Sequence, residues 1–218
     1  REKPTINEIY HIYNRGVEKR DIFSVEDDYL RFVRCLQIFN DANPTEVRLP
    51  EKDEQEREPL VAILAFCLMP NHFHLMIQQR VENGTSEFMR KLGTGYTNYF
   101  NKKYERVGAL FQGVYKSTRI ADDTHLRYLP YYIHLNPLDL TMPEWRDGSI
   151  LHTQTALTFL ESYRWSSLID YLGIKNFPAV TQREFLHEVL GNSSEQKQDM
   201  MDWIQRNGYE EIEHLTLE

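Results

Sequence analysis

Cys67-Leu68-Met69-Pro70-Asn71-His72-Phe73-His74-Leu75-Met76-Ile77 is an apolar run interrupted at one polar point. Leu60-Val61-Ala62-Ile63-Leu64-Ala65-Phe66 precedes it and reads as a buried strand. Beyond the interruption, His72, His74 and Met76 share one face of an extended chain, because strand side chains alternate with period two. Met69-Pro70-Asn71 leaves room only for a turn. The sequence therefore predicts strands over 60–68 and 72–79, joined as an antiparallel hairpin.

Upstream, Ile9 to Tyr13 alternates β-forming residues and reads as a strand, ended by a turn at Asn14-Arg15-Gly16. Ser24 is placed to cap a helix from about Val25 to Asn40, with Glu26, Asp27 and Asp28 suiting its N-terminal dipole. Residues 41–59 are polar, proline-containing and charge-dense, and read as an inserted loop. Downstream of the hairpin, Thr85 or Ser86 caps a second helix with an apolar stripe through Phe88, Met89, Leu92, Tyr96, Tyr99 and Phe100. Val114 to Ile120 suggests a further strand, and Asp122 or Asp123 caps a third helix that stops at Asn136-Pro137. Pro130 inside that helix predicts a kink or a late start. Strand, helix, strand, strand, helix, strand, helix is the split βαβ order. The expected class is α+β: a ferredoxin-like antiparallel sheet with helices on one face, over residues 1–145. Residues 146–218 read as a helical C-terminal extension, with helices near 181–190 and 194–208.

The chain has 218 residues and is 41% hydrophobic, enough for a substantial core, so global disorder is excluded. Cys35 and Cys67 lie in apolar surroundings without metal-ligand spacing, which suggests reduced core thiols and a cytoplasmic protein. No apolar run approaches the ~18 residues of a membrane span, and no basic-then-apolar leader opens the sequence. A net charge of -8 argues against a general polyanion binder. The middle is nevertheless basic: Arg90, Lys91, Lys102, Lys103, Arg106, Lys116 and Arg119 face the single acid Glu105. That is either a solvated helix face or a localised phosphate-binding face.

Two imidazoles on one strand face either bind a cation together or are hydrogen-bonded core residues. The hydrolytic HxHxD pattern needs an acid where Met76 stands, and no cysteine pair accompanies the histidines for a zinc finger. Tyr128, Tyr132 and Asn136 recur every four residues and so project in one line from the third helix. Asn136 offers an amide oxygen, and Tyr132 lies one turn away. Two imidazoles and an amide suit Mg²⁺ or Mn²⁺, with manganese the better match to imidazole. A phenol beside such a cation can attack a phosphodiester. The alternatives are aromatic packing for Tyr132 and a helix stop for Asn136.

At these residues the sequence resembles a family. Met69-Pro70-Asn71-His72-Phe73-His74-Leu75 is similar to the histidine–hydrophobe–histidine (HUH) motif of the single-tyrosine HUH transposases. Tyr132-Ile133-His134-Leu135-Asn136-Pro137 is similar to the nucleophile motif of their REP-associated tyrosine transposase branch. Ile12-Tyr13-Asn14-Arg15-Gly16, Gly108 to Tyr115 and Tyr163-Arg164-Trp165-Ser166-Ser167 also resemble segments of that branch. The resemblance covers roughly 5 to 172. It implies that His72 and His74 bind a divalent metal, with Asn136 as third ligand, and that Tyr132 is the nucleophile that keeps the 5′-phosphate. It further implies cutting of single-stranded DNA at hairpin-forming repeats, with a free 3′-hydroxyl left behind. Tyr131 adjoins Tyr132, so a change of helix phase would exchange their roles.

On that reading Arg15, Arg90, Lys91, Lys102, Lys103, Arg106, Lys116 and Arg119 are expected phosphate contacts. Phe111 and Tyr115 are expected to stack on unpaired bases. The expected partner is single-stranded DNA, the expected state a monomer or homodimer, and the expected location the cytoplasm at the nucleoid. Two rivals stand beside it: a catalytically idle nucleic-acid-binding module, and a metal-dependent hydrolase that uses water in place of tyrosine.

Overall fold

The structure is a computed structural model that describes residues 3–43, 57–147 and 152–205. From 44 to 56, the polar loop read from the sequence lies outside the described residues. The chain divides into two compact units. The first comprises Arg1–Ile63 and Leu68–Arg119, the second Leu64–Cys67 and Ile120–Glu218.

The first unit has the ferredoxin-like order. Strand β1 (Ile9–Arg15) leads to helix α1 (Glu26–Ile38), then to the hairpin β2 (Val61–Met69) and β3 (His72–Gln79), helix α2 (Gly84–Lys103) and strand β4 (Lys116–Arg119). The four-stranded sheet runs β2-β3-β1-β4, and β1 pairs antiparallel with both β3 and β4. Period-two alternation gives the sheet two distinct faces. One carries Tyr10, Ile12, Phe73, Leu75 and Ile77, which pack under the helices: the rings of Phe32 on α1 and Phe73 are 5.1 Å apart, and Tyr96 on α2 lies 4.9 Å from Phe32. At Gly95 an added Cβ would come within 2.3 Å of the Phe39 ring, so the absence of a side chain lets that ring reach α2. The other face carries His11, Tyr13, Arg15, His72, His74, Met76, Lys116 and Thr118.

Several boundaries differ from those expected. β1 continues through Asn14 and Arg15 because they keep register with Phe73 and His72. β4 begins only at Lys116, since Gly113 has φ +79° and Val114 is exposed. Ser24 does not cap α1 with its side chain. Instead the Asp28 carboxylate, inside the first turn, accepts from the backbone N–H groups of Ser24 (2.9 Å) and Val25 (3.1 Å). Likewise Asn83, with φ +58°, occupies the cap position of α2, and the Thr85 N–H donates to Gln79 Oε1 at 3.1 Å.

In the second unit, α3 (Asp123–Leu135) runs through Pro130 without an early stop, and its cap is Asp122, whose carboxylate accepts from the His125 N–H at 2.8 Å. A 3-10 turn over Asn136–Leu140 follows. Helices α4 (Thr153–Ser162), α5 (Leu168–Tyr171), α6 (Glu184–Leu190) and α7 (Ser193–Gln205) complete it around Leu157, Leu160, Leu186, Met200 and Trp203. Leu64–Cys67 belongs here because Ser167 Oγ accepts from the Phe66 N–H (2.9 Å), Ser167 N–H donates to the Phe66 carbonyl (3.0 Å), and Cys67 bridges Ser166. Both cysteines are buried free thiols, and burial pushes Cys35 up to about 11.

Candidate active site

The sheet face of the first unit gathers three histidines. His72 and His74 present rings whose centroids are 5.0 Å apart at 87°. His72 Nδ1 lies 2.6 Å from Asn71 Oδ1. An amide oxygen only accepts, so Nδ1 carries the proton, and in the neutral form of the ring the lone pair is on Nε2. Asn71 is itself oriented by donating through Nδ2 to the Lys19 carbonyl at 3.3 Å. His74 is wholly buried, and its Nδ1 meets His11 Nε2 at 2.9 Å. In both rings the nitrogen held from behind is Nδ1, while Nε2 is buried on the far side. Ligand imidazoles use this arrangement, in which a hydrogen bond at one nitrogen aims the other. The pair thus fits a divalent cation. Among the described residues no group of three or more His, Cys, Asp or Glu side chains is placed to hold a metal. The remaining ligands would be an amide, water or phosphate oxygens.

The second unit positions the other candidates on α3. Tyr132 is wholly buried, with the Arg146 guanidinium 5.6 Å from its ring centre and the Trp145 ring 6.5 Å away. Asn136 is also fully enclosed. Its Nδ2 donates to the Tyr132 carbonyl at 2.8 Å, and its Oδ1 accepts from Arg146 Nη2 at 3.3 Å. Arg146 is anchored on Asp139 through Nε (3.0 Å) and Nη2 (2.7 Å). One guanidinium therefore ties together Tyr132, Asn136 and Asp139. The bond from Arg146 uses one lone pair of Asn136 Oδ1 and leaves the second for a metal. Tyr131, one residue earlier, points elsewhere and donates to Asp199 Oδ2 at 3.2 Å. Burial, followed by the adjacent Asp199 carboxylate, pushes its phenol well above the ordinary range.

The expected DNA contacts fall into separate groups. Arg15 and Lys116 stand on the histidine face, opposite His72 and Tyr13 in the strand register. Arg90 and Tyr115 line a cavity of about 780 Å³ that also touches Asn14, Phe73 and Ser117, on the helix side of the sheet. Phe111 lines it too, but is nearly buried, its ring 5.8 Å from Phe73 and 6.4 Å from Tyr96. Four other cations already have protein partners. Lys91 pairs with Glu87 (3.0 Å), Lys103 with Asp28 (2.7 Å) and Arg119 with Glu8 (2.8 Å), while Arg106 donates to Asn101 Oδ1 (2.9 Å). Lys102 is exposed at the end of α2. Arg15, Arg90, Lys102 and Lys116 form no salt bridge among the described residues.

Sequence reasoning missed His11, Asn71 as an orienting residue, and Arg146. His11 was hidden in the β-forming alternation of Ile9–Tyr13, although it lies two residues from Tyr13 on the strand face that meets His74. Arg146 carried no local signal, since it sits beyond the helix it clamps.

Residues 51–136 match the sequence model of the family described as IS200-like transposases. The family resemblance is borne out over this segment, which contains His72, His74, Tyr132 and Asn136. No curated protein matches the sequence. Among solved structures, the fold is similar to that of a REP-associated tyrosine transposase bound to a REP hairpin. The TM-score is 0.51 at 12% identity, covering 81% of this chain and 87% of that one. Among the described residues no helix is long and apolar enough to cross a membrane.

Proposed function

We propose that this chain is a metal-dependent single-stranded DNA endonuclease and strand transferase that acts through a 5′-phosphotyrosine intermediate at hairpin-forming repeat DNA. The observation that carries the reading is the IS200-like transposase match over residues 51–136, with the histidine pair in its first part and Tyr132 and Asn136 at its end. The fixed tautomer of His72 supports the metal-binding part. Its Asn71 bond leaves the Nε2 lone pair in position without reorganisation.

In this mechanism His72 and His74 would hold Mg²⁺ or Mn²⁺, with Asn136 as the third ligand, and a cation so held would supply neutralisation of phosphate charge at the scissile bond. Tyr132 loses its phenol proton and its oxygen attacks phosphorus. The phosphorus–O3′ bond breaks, and the departing oxygen takes up a proton as the free 3′-hydroxyl. Attack by a second 3′-hydroxyl reverses the step and rejoins the strand without an external energy source. Arg15 and Lys116, on the histidine face, neutralise flanking phosphates, while Arg90, on the helix side of the sheet, and Lys102, at the end of α2, are separate phosphate contacts. Tyr115 offers a ring to an unstacked base. We assign this chemistry to residues 1–145 and treat 146–218 as a helical extension, in a monomer or homodimer working at the nucleoid.

One observation favours a second reading. Tyr132 is wholly enclosed and Asn136 is engaged by Arg146, as expected of an idle nucleic-acid-binding module. Incubation with a labelled hairpin oligonucleotide and Mn²⁺ separates the readings. A denaturation-resistant protein–DNA adduct that disappears in Tyr132→Phe supports strand transfer. Cleavage without an adduct indicates a water-using hydrolase, and binding alone indicates the idle module. Loss of the adduct in Tyr131→Phe but not Tyr132→Phe would overturn the assignment of the nucleophile.

A further inference from the structure

We infer that His11 is a positioning residue for the metal pair, one that holds His74 in the tautomer whose Nε2 faces the cation. The inference rests on the metal reading above and extends it to a residue outside the histidine–hydrophobe–histidine motif.

His11 Nε2 and His74 Nδ1 are 2.9 Å apart, both rings are buried, and their planes differ by only 20° with centroids 5.2 Å apart. Rings that stack face to face do not bring two edge nitrogens this close. Two rings meeting edge to edge through one in-plane N–H···N bond do. A neutral pair shares a single proton across that contact, so two arrangements exist. If His74 Nδ1–H donates to His11 Nε2, the His74 Nε2 lone pair is available to a metal. If His11 Nε2–H donates instead, His74 carries its other proton on Nε2 and cannot ligate.

The two histidines of the pair differ here. At His72 the partner is an amide oxygen, which settles the tautomer by itself. At His74 the partner is another imidazole, so the choice passes to His11. The fold holds His11 for this role. It lies on β1 directly opposite Met76 and Thr118, with its ring packed 5.2 Å from Tyr13, and Tyr13 in turn stacks on His74 at 5.8 Å and 26°. Being 1% exposed, the ring is not positioned to swing toward water, and it stays behind His74. Second-shell acceptors of this kind typically change metal affinity about 10- to 100-fold when removed.

The test uses the whole chain and two readouts. Long-range ¹H–¹⁵N spectra of the imidazoles, recorded without metal, report which nitrogen of His74 carries the proton. Titration with Mn²⁺ alone reports affinity. The wild type is expected to show His74 protonated at Nδ1. His11→Gln, whose amide oxygen stands near the position of imidazole Nε2, is expected to keep that tautomer and to bind Mn²⁺ within a few-fold of wild type. His11→Leu is expected to shift His74 toward the Nε2–H form and to weaken Mn²⁺ about 10- to 100-fold. A wild-type His74 protonated at Nε2 overturns the inference, as does a His11→Leu variant with unchanged tautomer and affinity. If wild type binds no Mn²⁺, the metal reading fails, while the spectra still decide whether His11 sets the tautomer. If His11→Leu does not fold, the wild-type and His11→Gln spectra remain decisive.

Discussion

Replacing Asp28 by Asn should destabilise the first unit without touching the histidine face. Asp28 is completely buried at the start of α1 and accepts five hydrogen bonds. Oδ1 receives Lys103 Nζ (2.7 Å) and Tyr99 OH (3.0 Å). Oδ2 receives Tyr104 OH (2.6 Å) and the N–H groups of Ser24 and Val25. Burial alone would raise this carboxyl, but the bonds from Lys103, Tyr104, Ser24 and Val25 outweigh it and hold the group below its ordinary range. An amide in its place keeps one accepting oxygen and turns a donor toward either Lys103 or the Ser24 and Val25 N–H groups, none of which can accept. Breaking a buried ion pair from one side costs about 3–5 kcal/mol. Lys103 keeps 29% of its side chain exposed and can turn to water, so about 2–3 kcal/mol is the expected loss. For a chain of this size that lowers Tm by roughly 5–10 °C. Thermal and urea unfolding followed by circular dichroism measures it. The loss should also fade in acid. Because the folded carboxyl titrates below its unfolded value, its contribution is present above the ordinary carboxylate range and disappears as pH falls through the folded pKa. A variant that melts within a degree of wild type at neutral pH, or a deficit that grows in acid, would refute the account.

The same pairing predicts that Lys103→Gln and Arg119→Gln leave the salt dependence of hairpin binding nearly unchanged. Arg15→Gln and Lys116→Gln should each reduce the slope of log affinity against log salt by about 0.7, read from binding titrations between low and moderate salt. Burial pushes His134, bonded to Ser167 Oγ at 2.8 Å, down to about 3. Below pH 6.5 the unfolded chain binds a proton that the folded one refuses, so stability should fall from there toward pH 3, and His134→Phe should flatten that part of the profile. Tyr131→Phe removes only the Asp199 bond and should cost about 1 kcal/mol in urea unfolding while leaving any covalent adduct intact.

The hairpin at 60–79, the helix stripes and the α+β order were legible in the sequence because each depends on local periodicity and punctuation. The same holds for His72 and His74 sharing a face: strand geometry alone dictates it. Boundaries moved where a tertiary partner intervened, as when Asn14 and Arg15 joined β1 by pairing with Phe73 and His72. The basic run at 90–119 was visible as charge but not as function. Asp28 and Glu8, which engage Lys103 and Arg119, lie 75 and 111 residues away in sequence.

By itself, then, the sequence singled out the candidates for the proposed chemistry: two imidazoles at a period-two spacing and a tyrosine four residues before an asparagine. What only the tertiary structure decided is how those groups are held. Asn71 sets His72 through a one-residue neighbour contact, but His11 reaches His74 only because β1 lies beside β3, 63 residues away along the chain. Arg146 clamps Tyr132 and Asn136 only because the 3-10 turns after α3 fold back on it. Proton position and ring orientation depend on partners that long-range packing supplies, and no local pattern encodes them.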